Sequence, residues 1–444
     1  MADADETNAN GTLPATGLRN PRARQRAVAI GVARGIPGED AELDELSELL
    51  RTAGVATEAR MVQQRADPDP DRYFGRGKLD ELKTEIARSG ANLVACDDEL
   101  APRQERNLEA ALGVPVIDRT AVILDIFADH AHSAAGKLQV ELAQLEYNLA
   151  RMRGLWTHLE RLGAGRMDGG IGTRGPGESQ IETDRRLARN RIAALRRELR
   201  SVERNRETMR TERRRSAIPT VALAGYTNAG KSTLLNAITG AGVGVGDRLF
   251  HTLDPTTRSF EHDGRRYLLT DTVGFIRKLP HQLVDAFKAT LEETTLADLI
   301  VHVVDGSAPA ASRAAAMAAV DAVLEEIGAG ATPRIVAFNK LDLLDDEGRR
   351  DLLVGHRDGI GLSAATGEGL EGLLDAVAEA FARTLEPVEL LIPYGEGATL
   401  NELHEVAGKL EREDRGDGVL IRARVPSRLA HRFRDYAVDG RPAA

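Results

Sequence analysis

The chain has 444 residues, of which 42% are hydrophobic and 29% charged, with a net charge of −10. That balance excludes a wholly disordered or fibrous chain and a uniformly basic nucleic-acid binder, and the length accommodates roughly three domains. One cysteine, Cys96, excludes an intramolecular disulfide and fits a reducing compartment.

Residues 1–25 are mostly polar or small and read as a disordered tail without a secretory apolar segment. No apolar run reaches the ~18–20 residues that a spanning helix requires. A cytoplasmic, monomeric protein is expected. From 26 to 134 short apolar runs alternate with amphipathic ones. Ala27–Val32, Val55–Val62, Leu93–Cys96 and Val114–Ile117 read as strands, and Leu43–Arg51, Leu79–Arg88 and Arg103–Leu112 as helices. This spacing predicts a small α/β domain with a mainly parallel sheet. Cys96, at the end of one such strand, reads as a buried structural thiol. Gly75-Arg76-Gly77-Lys78 has no apolar strand leading into it, so it reads as a helix start rather than a phosphate loop.

Residues 135–215 are helical in pattern. Leu138, Leu142, Leu145, Leu149 and Met152 make one apolar seam, and Ile192, Leu195, Leu199 and Val202 make a second. Two such helices pair most simply as an antiparallel hairpin. Their connection, Gly163 to Gly177, holds seven glycines, and long loops of that kind are functional or disordered. The second helix carries thirteen arginines, no lysine and five acids between Asp184 and Arg215. So one-sided an excess exceeds what internal pairing can absorb, and arginine suits phosphate contacts. Arg174, Arg185, Arg186, Arg196, Arg197 and Arg200 are the candidates for RNA contact.

From 216 to 385 the strand–helix alternation returns. The strand Val221–Ala224 runs into Gly225-Tyr226-Thr227-Asn228-Ala229-Gly230-Lys231-Ser232 and then a helix beginning at Thr233. This is the phosphate-loop pattern G-x-x-x-x-G-K-[ST] in its strand–loop–helix setting. Its backbone N–H groups would face phosphates, Lys231 would reach the β- and γ-phosphates, and Ser232 would ligate Mg²⁺. Tyr267–Thr270 reads as a strand ending in Asp271-Thr272-Val273-Gly274. A carboxylate there can hold Mg²⁺ through a water, and the Gly274 N–H can reach the γ-phosphate. Ile335–Phe338 delivers Asn339-Lys340-Leu341-Asp342. The Asp342 carboxylate matches the ring N–H and exocyclic amine of guanine, Lys340 would lie along the base, and Asn339 would tie this loop to the phosphate loop. Sites built on such hydrogen bonds reject a wrong partner by roughly 10⁴–10⁵. Ser363-Ala364-Ala365 could offer an N–H to the guanine carbonyl.

Between the first two motifs lies Phe250-His251-Thr252-Leu253-Asp254, followed by Pro255-Thr256-Thr257. A switch segment requires a threonine for Mg²⁺ and the γ-phosphate. Thr252 is the choice, with Thr256 and Thr257 behind it, and His251 reads as a surface residue. Lys231, Thr252 and Gly274 form the expected catalytic set, and Ser232, Thr252 and Asp271 the metal set. Phe275 stands where many GTPases place a water-orienting glutamine, so slow intrinsic hydrolysis is expected, accelerated by a partner. The remainder, 386–444, reads strand (Val388–Ile392), helix (Leu400–Leu410), strand (Gly418–Arg424), helix, a small α+β appendage.

Together the phosphate loop G-Y-T-N-A-G-K-S, L-F-H-T-L-D-P-T, D-T-V-G-F and N-K-L-D resemble the HflX family of translational GTPases. Upstream, Gly136-Lys137-Leu138-Gln139-Val140-Glu141-Leu142 and Gly175-Pro176-Gly177-Glu178-Ser179-Gln180 extend the resemblance, which runs from about Tyr73 to Leu385. It implies an α/β P-loop GTPase domain flanked by an N-terminal α/β domain, a helical hairpin and the C-terminal appendage. It also implies a Mg²⁺-dependent GTP hydrolase on the large ribosomal subunit that splits or rescues stalled ribosomes. Members of the family tolerate ATP, which makes strict guanine selectivity an open expectation.

Overall fold

The computed structural model describes residues 25–33, 40–151, 176–216, 218–242, 249–250, 252–278, 288–383, 385–407 and 410–438. The glycine-rich loop up to residue 175, Arg174, Met152 and His251 lie outside the described residues. The chain forms two compact units, one of residues 1–129 with 146–185 and the other of 130–145 with 186–444.

In the first unit, β1 (Arg26–Ala33), α1 (Asp40–Thr52), β2 (Ala56–Gln64), α2 (Arg76–Ser89), β3 (Leu93–Cys96), α3 (Pro102–Leu112), β4 (Val116–Asp118) and α4 (Arg119–His130) follow one another. The strands form a parallel sheet in the order β2-β1-β3-β4. Seven consecutive residues of β1, Ala27 to Ala33, are buried, as expected of a strand covered on both faces. Cys96 is wholly buried and burial pushes its thiol upward, which removes it from nucleophilic chemistry. Gly75 immediately precedes α2 and donates its N–H to Gln63 Oε1 at 3.0 Å, the helix-start role expected of that segment.

Two long helices follow, α5 (Ala134–Arg151) and α6 (Pro176–Ser216). The division between units falls within both of them, after Leu145 and after Arg185, so neither helix belongs wholly to one unit. Near the end of α5, Arg151 reaches Asp118 at 2.7 Å and Glu105 at 2.8 Å and lies over the Tyr147 ring. Earlier in the same helix Glu141 receives both nitrogens of the Arg191 fork from α6, at 2.7 and 2.9 Å. On α6 Ala188, Ile192 and Leu195 are buried at steps of four and three, while Arg186, Arg196, Arg197 and Arg200 are exposed.

The second unit is built on β5 (Thr220–Gly225), α7 (Lys231–Thr239), β6 (Thr256–His262), β7 (Arg265–Asp271), α8 (Lys288–Thr295), β8 (Leu299–Asp305), α9 (Ala310–Glu326), β9 (Arg334–Asn339), α10 (Asp346–Gly355), β10 (Ile360–Gly361) and α11 (Leu370–Ala382). Its sheet runs β10-β9-β8-β5-β7-β6, parallel except for β6. The β6–β7 hairpin closes through Asp263 and Gly264, both at positive φ (53° and 74°), the two-residue turn whose twist matches paired strands. Because β5 has β8 on one side and β7 on the other, the strand order reverses around it. Ligands of such sheets sit beyond the carboxyl ends of the strands at that reversal. The chain ends with β11 (Leu385–Ile392), α12 (Gly397–Ala407), β12 (Leu410–Arg415), β13 (Gly418–Pro426) and the one-turn α13 (Ser427–Ala430), the strands forming an antiparallel sheet in the order β11-β13-β12. Here the expectation needs correcting: α12 stops at Ala407, and Leu410–Arg415 is an edge strand. No helix among the described residues is long and apolar enough to cross a membrane.

His302, inside β8, is 3% exposed, and burial lowers its pKa from 6.5 to about 4. The unfolded chain therefore binds a proton near pH 6.5 that the folded chain refuses until about pH 4. Stability contributed by neutral His302 is present above that window and lost as pH falls through it, on the order of 3 kcal/mol. His302→Leu is expected to flatten the acid-side fall in melting temperature relative to the parent chain; parallel curves would contradict the assignment.

Candidate functional site

The loop after β5 owes its shape to residues that accept unusual backbone angles. Asn228 has φ +59° and Gly230 φ +92°. A Cβ on Gly230 would lie 2.2 Å from Asn339 Nδ2, and one on Gly225 would lie 2.2 Å from the carbonyl oxygen of Val303 in the neighbouring strand. Both glycines therefore serve close approach, and Gly230 serves conformation as well. Lys231, the first residue of α7, is 6% exposed and turns its Nζ back onto the carbonyls of Gly225 and Tyr226, each at 2.9 Å. Burial lowers its pKa to about 8, with the Asp271 charge opposing that shift. Thr227 is buried, and its hydroxyl finds no partner among the described residues. Thr233 lies in the first turn of α7.

Parallel pairing of β5 with β7 sets Leu223 opposite Asp271 and so carries Asp271 to the base of the phosphate loop. One oxygen of its carboxylate, Oδ2, accepts from Ser232 Oγ at 2.6 Å and from Thr252 Oγ1 at 3.0 Å, and the two hydroxyls are 2.7 Å apart. The other, Oδ1, is buried with no hydrogen-bond partner among the described residues. Burial raises the Asp271 pKa, and Lys231, Ser232 and Thr252 counter that shift. Three oxygen-bearing side chains from separate parts of the sequence thus meet at Oδ2, and the other oxygen of the same carboxylate is left unsatisfied among the described residues. A hard cation with oxygen preference fits this set, which has no thiolate or imidazole.

Gly274 sits against the loop. A Cβ there would come 2.8 Å from Thr227 Cγ2, 2.9 Å from Thr227 Cα and 3.2 Å from Lys231 Nζ. Phe275 is 1% exposed and packs with Ala224, Leu291 and Ile300. Its backbone accepts from Thr227 N–H at 2.8 Å and donates to the Gly225 carbonyl at 3.1 Å. The residue that lacks a water-orienting side chain therefore clasps the phosphate loop to the segment that follows Asp271.

On the far side, Asn339 is 2% exposed and bridges two loops, donating to the Ala229 carbonyl at 2.8 Å and accepting from Ala364 N–H at 2.9 Å. Lys340, at φ +67°, has its Nζ 2.7 Å from Asp305 Oδ2. Asp305, at the end of β8, went unnoticed in the sequence, although an acid one strand away from a lysine-bearing loop is the available signal. Asp342 is exposed, and Ser363, wholly buried, donates to its Oδ1 at 2.5 Å. Ala365 is exposed beside them.

Several residues grouped with the nucleotide by sequence have other partners. Thr272 is wholly buried and gives its hydroxyl to the Leu223 carbonyl at 2.7 Å, while Val273 and Leu341 are buried. In the switch segment Phe250 and Leu253 are buried, and the Asp254 carboxylate is taken up by His132 and Ser133 at the start of α5. The side chains of these six residues are thus engaged in the framework that holds the loops.

Three family models match in chain order: GTP-binding GTPase N-terminal over residues 40–128, GTP-binding GTPase Middle Region over 130–213, and 50S ribosome-binding GTPase over 220–340. The chain is 44% identical over 419 residues to GTPase HflX of Caldanaerobacter subterraneus, covering 94% of this chain and 95% of that protein. It is 45% identical over 417 residues to GTPase HflX of Lacrimispora saccharolytica, covering 93% and 96%. With GTPase HflX of Escherichia coli the identity is 44% over 390 residues, covering 87% and 90%. The chain belongs to the HflX family of P-loop GTPases and is a GTP hydrolase.

Proposed function

We propose that this GTPase binds Mg²⁺·GTP in the crevice beyond β5, β7 and β9, and uses the bound and hydrolysed states to govern attachment to the large ribosomal subunit. Release or splitting of stalled ribosomes is the outcome of that cycle. The observation that carries the catalytic half is the convergence of Ser232 and Thr252 on Asp271 Oδ2, beside an Oδ1 left without a hydrogen-bond partner among the described residues.

Ser232 and Thr252 would hold the ion by their hydroxyls, with Asp271 behind them. Bound there, Mg²⁺ supplies charge neutralisation on the β- and γ-phosphates. Lys231 exchanges its carbonyl partners for phosphate oxygens, and the triphosphate offsets the desolvation that the free ammonium suffers. The backbone N–H groups of Asn228 through Thr233 face the same anion, reinforced by the start of α7. Gly274 offers its N–H to the γ-phosphate from a position where any side chain would strike Thr227. Asp342 accepts from the guanine edge, steadied by Ser363, while Asp305 keeps Lys340 along the base face. With Phe275 committed to the core, no side chain at that position orients the attacking water, so the partner supplies the missing element of hydrolysis.

The ribosomal half is supported by the family match described as 50S ribosome-binding GTPase and by the exposed arginines of α6. RNA phosphates favour a guanidinium fork over a point charge.

Three outcomes test this reading. Gly230→Ala forces a Cβ onto Asn339 at a backbone angle that alanine disfavours; GTP and GDP affinities are both expected to fall by roughly 10²-fold. Retained affinity by calorimetry would contradict the loop assignment. Asp342→Asn should cost GTP binding roughly 10²-fold or more and shift preference toward xanthosine triphosphate, whose base presents an acceptor in place of the amine. An unchanged guanine preference places base recognition elsewhere. Replacing Arg186, Arg196, Arg197 and Arg200 by glutamine should weaken co-sedimentation with large subunits and make its salt dependence shallower, with GTP affinity intact; the same salt slope would remove this helix from the RNA interface.

A further inference from the structure

The switch segment is held from two sides, and only one of them faces the nucleotide crevice. Thr252 lies on Ser232 and Asp271. Two residues before it, the Phe250 carbonyl is 2.8 Å from His130 Nδ1, and Phe250 takes φ +56° with its ring buried. Two residues after it, Asp254 Oδ2 accepts from the backbone N–H of His132 at 3.1 Å and of Ser133 at 2.7 Å, and Oδ1 accepts from the Ser133 hydroxyl. That hydroxyl accepts in turn from Gly136 N–H at 2.8 Å, capping the first turn of α5. Gly136 is required for this approach, since a Cβ on it would stand 2.6 Å from Asp254 Oδ1 and 3.1 Å from Ser133 Oγ.

Anchoring 250 to His130 at the end of α4 and 254 to the start of α5 leaves Thr252 between two fixed points. A hydroxyl free to wander would lose the positional entropy advantage that hydrolysis draws on, and a misplacement of about 1 Å can cost 10²-fold in rate.

We propose that Ser133, Gly136 and Asp254 are positioning residues for hydrolysis: the capped first turn of α5, through the Asp254 carboxylate, sets Thr252 at the phosphate end of the site. The assignment rests on the role given to Thr252 above. By reciprocity, binding energy that shifts the first turn of α5 also shifts the switch.

The test is steady-state hydrolysis with GDP affinity measured alongside on the full chain. Asp254→Ala is expected to lower kcat about tenfold or more with KM and GDP affinity within about twofold, the split that marks an interaction used only toward the transition state. Ser133→Ala should lower kcat in the same direction, and Ser133→Thr, which keeps the hydroxyl, should restore it. Gly136→Ala should match Asp254→Ala, and combining the two should cost nothing further, because the oxygen that the new methyl strikes is gone. An unchanged kcat in Asp254→Ala, a matching loss of GDP affinity, or additive losses in the double variant would each overturn the proposal. Thr252→Ala separates the two levels. If it leaves kcat intact the reading of the switch threonine fails, whereas if it abolishes turnover while Asp254→Ala does not, the latch alone fails.

Discussion

A buried carboxylate with one oxygen bonded and one left over organises the nucleotide crevice. Asp271 is fully shielded from solvent, and a buried charge is costly unless hydrogen bonds and an opposite charge compensate it. Lys231 and Ser232, neighbours at the start of α7, and Thr252 from the switch segment supply that compensation. The parallel register of β5 and β7 therefore does more than build a sheet. A shift of one residue would turn Asp271 to the opposite face and leave the two hydroxyls without their acceptor.

Close approach then fixes how the neighbouring loops can move. Gly225 lies against the Val303 carbonyl, Gly230 against Asn339, and Gly274 against Thr227. Phe275 adds a pair of backbone hydrogen bonds across to Gly225 and Thr227 and buries its ring behind them. Rigid loops of this sort pre-organise donors for a phosphate, so little ordering remains when the anion arrives. The same packing means that the segment after Asp271 cannot shift without pulling on the phosphate loop. Phenylalanine at 275 thus exchanges a water-orienting role for a mechanical one.

Much of this was legible in the sequence because the motifs are local. The phosphate loop, Asp271 and Asn339 are delivered by apolar strands whose pattern is unmistakable, and the buried strand β3 has the boundaries that its residues suggest, Leu93 to Cys96. What escaped was decided by tertiary partners. The strand Leu410–Arg415 reads Leu-Glu-Arg-Glu-Asp-Arg, with no apolar alternation to reveal it, and exists because β13 offers it an edge. Thr272 and Asp254 carry polar groups beside ligand motifs, and only the register of β5 and the start of α5 show that those groups are already bound. Asp305 is one acid among 69 Asp and Glu residues until Lys340 is seen on it.

Distance along the fold separates the nucleotide from the arginine-rich face of α6, so any communication between them needs elements that take discrete positions. In the proposed cycle the switch segment is such an element, because Thr252 lies on Ser232 and Asp271 while Phe250 bonds His130 at the end of α4 and Asp254 bonds the start of α5. One to two turns further along that helix, Glu141 holds Arg191 of α6 in a bidentate pair. Both side chains are nearly half exposed, so solvent screening leaves the pair little weight in stability. Its value is geometric. A bidentate fork fixes orientation where a single contact would not, and Val140 and Ala143 on α5 and Ile192 and Leu195 on α6 are buried. In the proposed cycle the energy for switching comes from the site itself, from differential contacts of Thr252 and Gly274 with tri- and diphosphate, and the helices need only be stiff enough to carry the displacement.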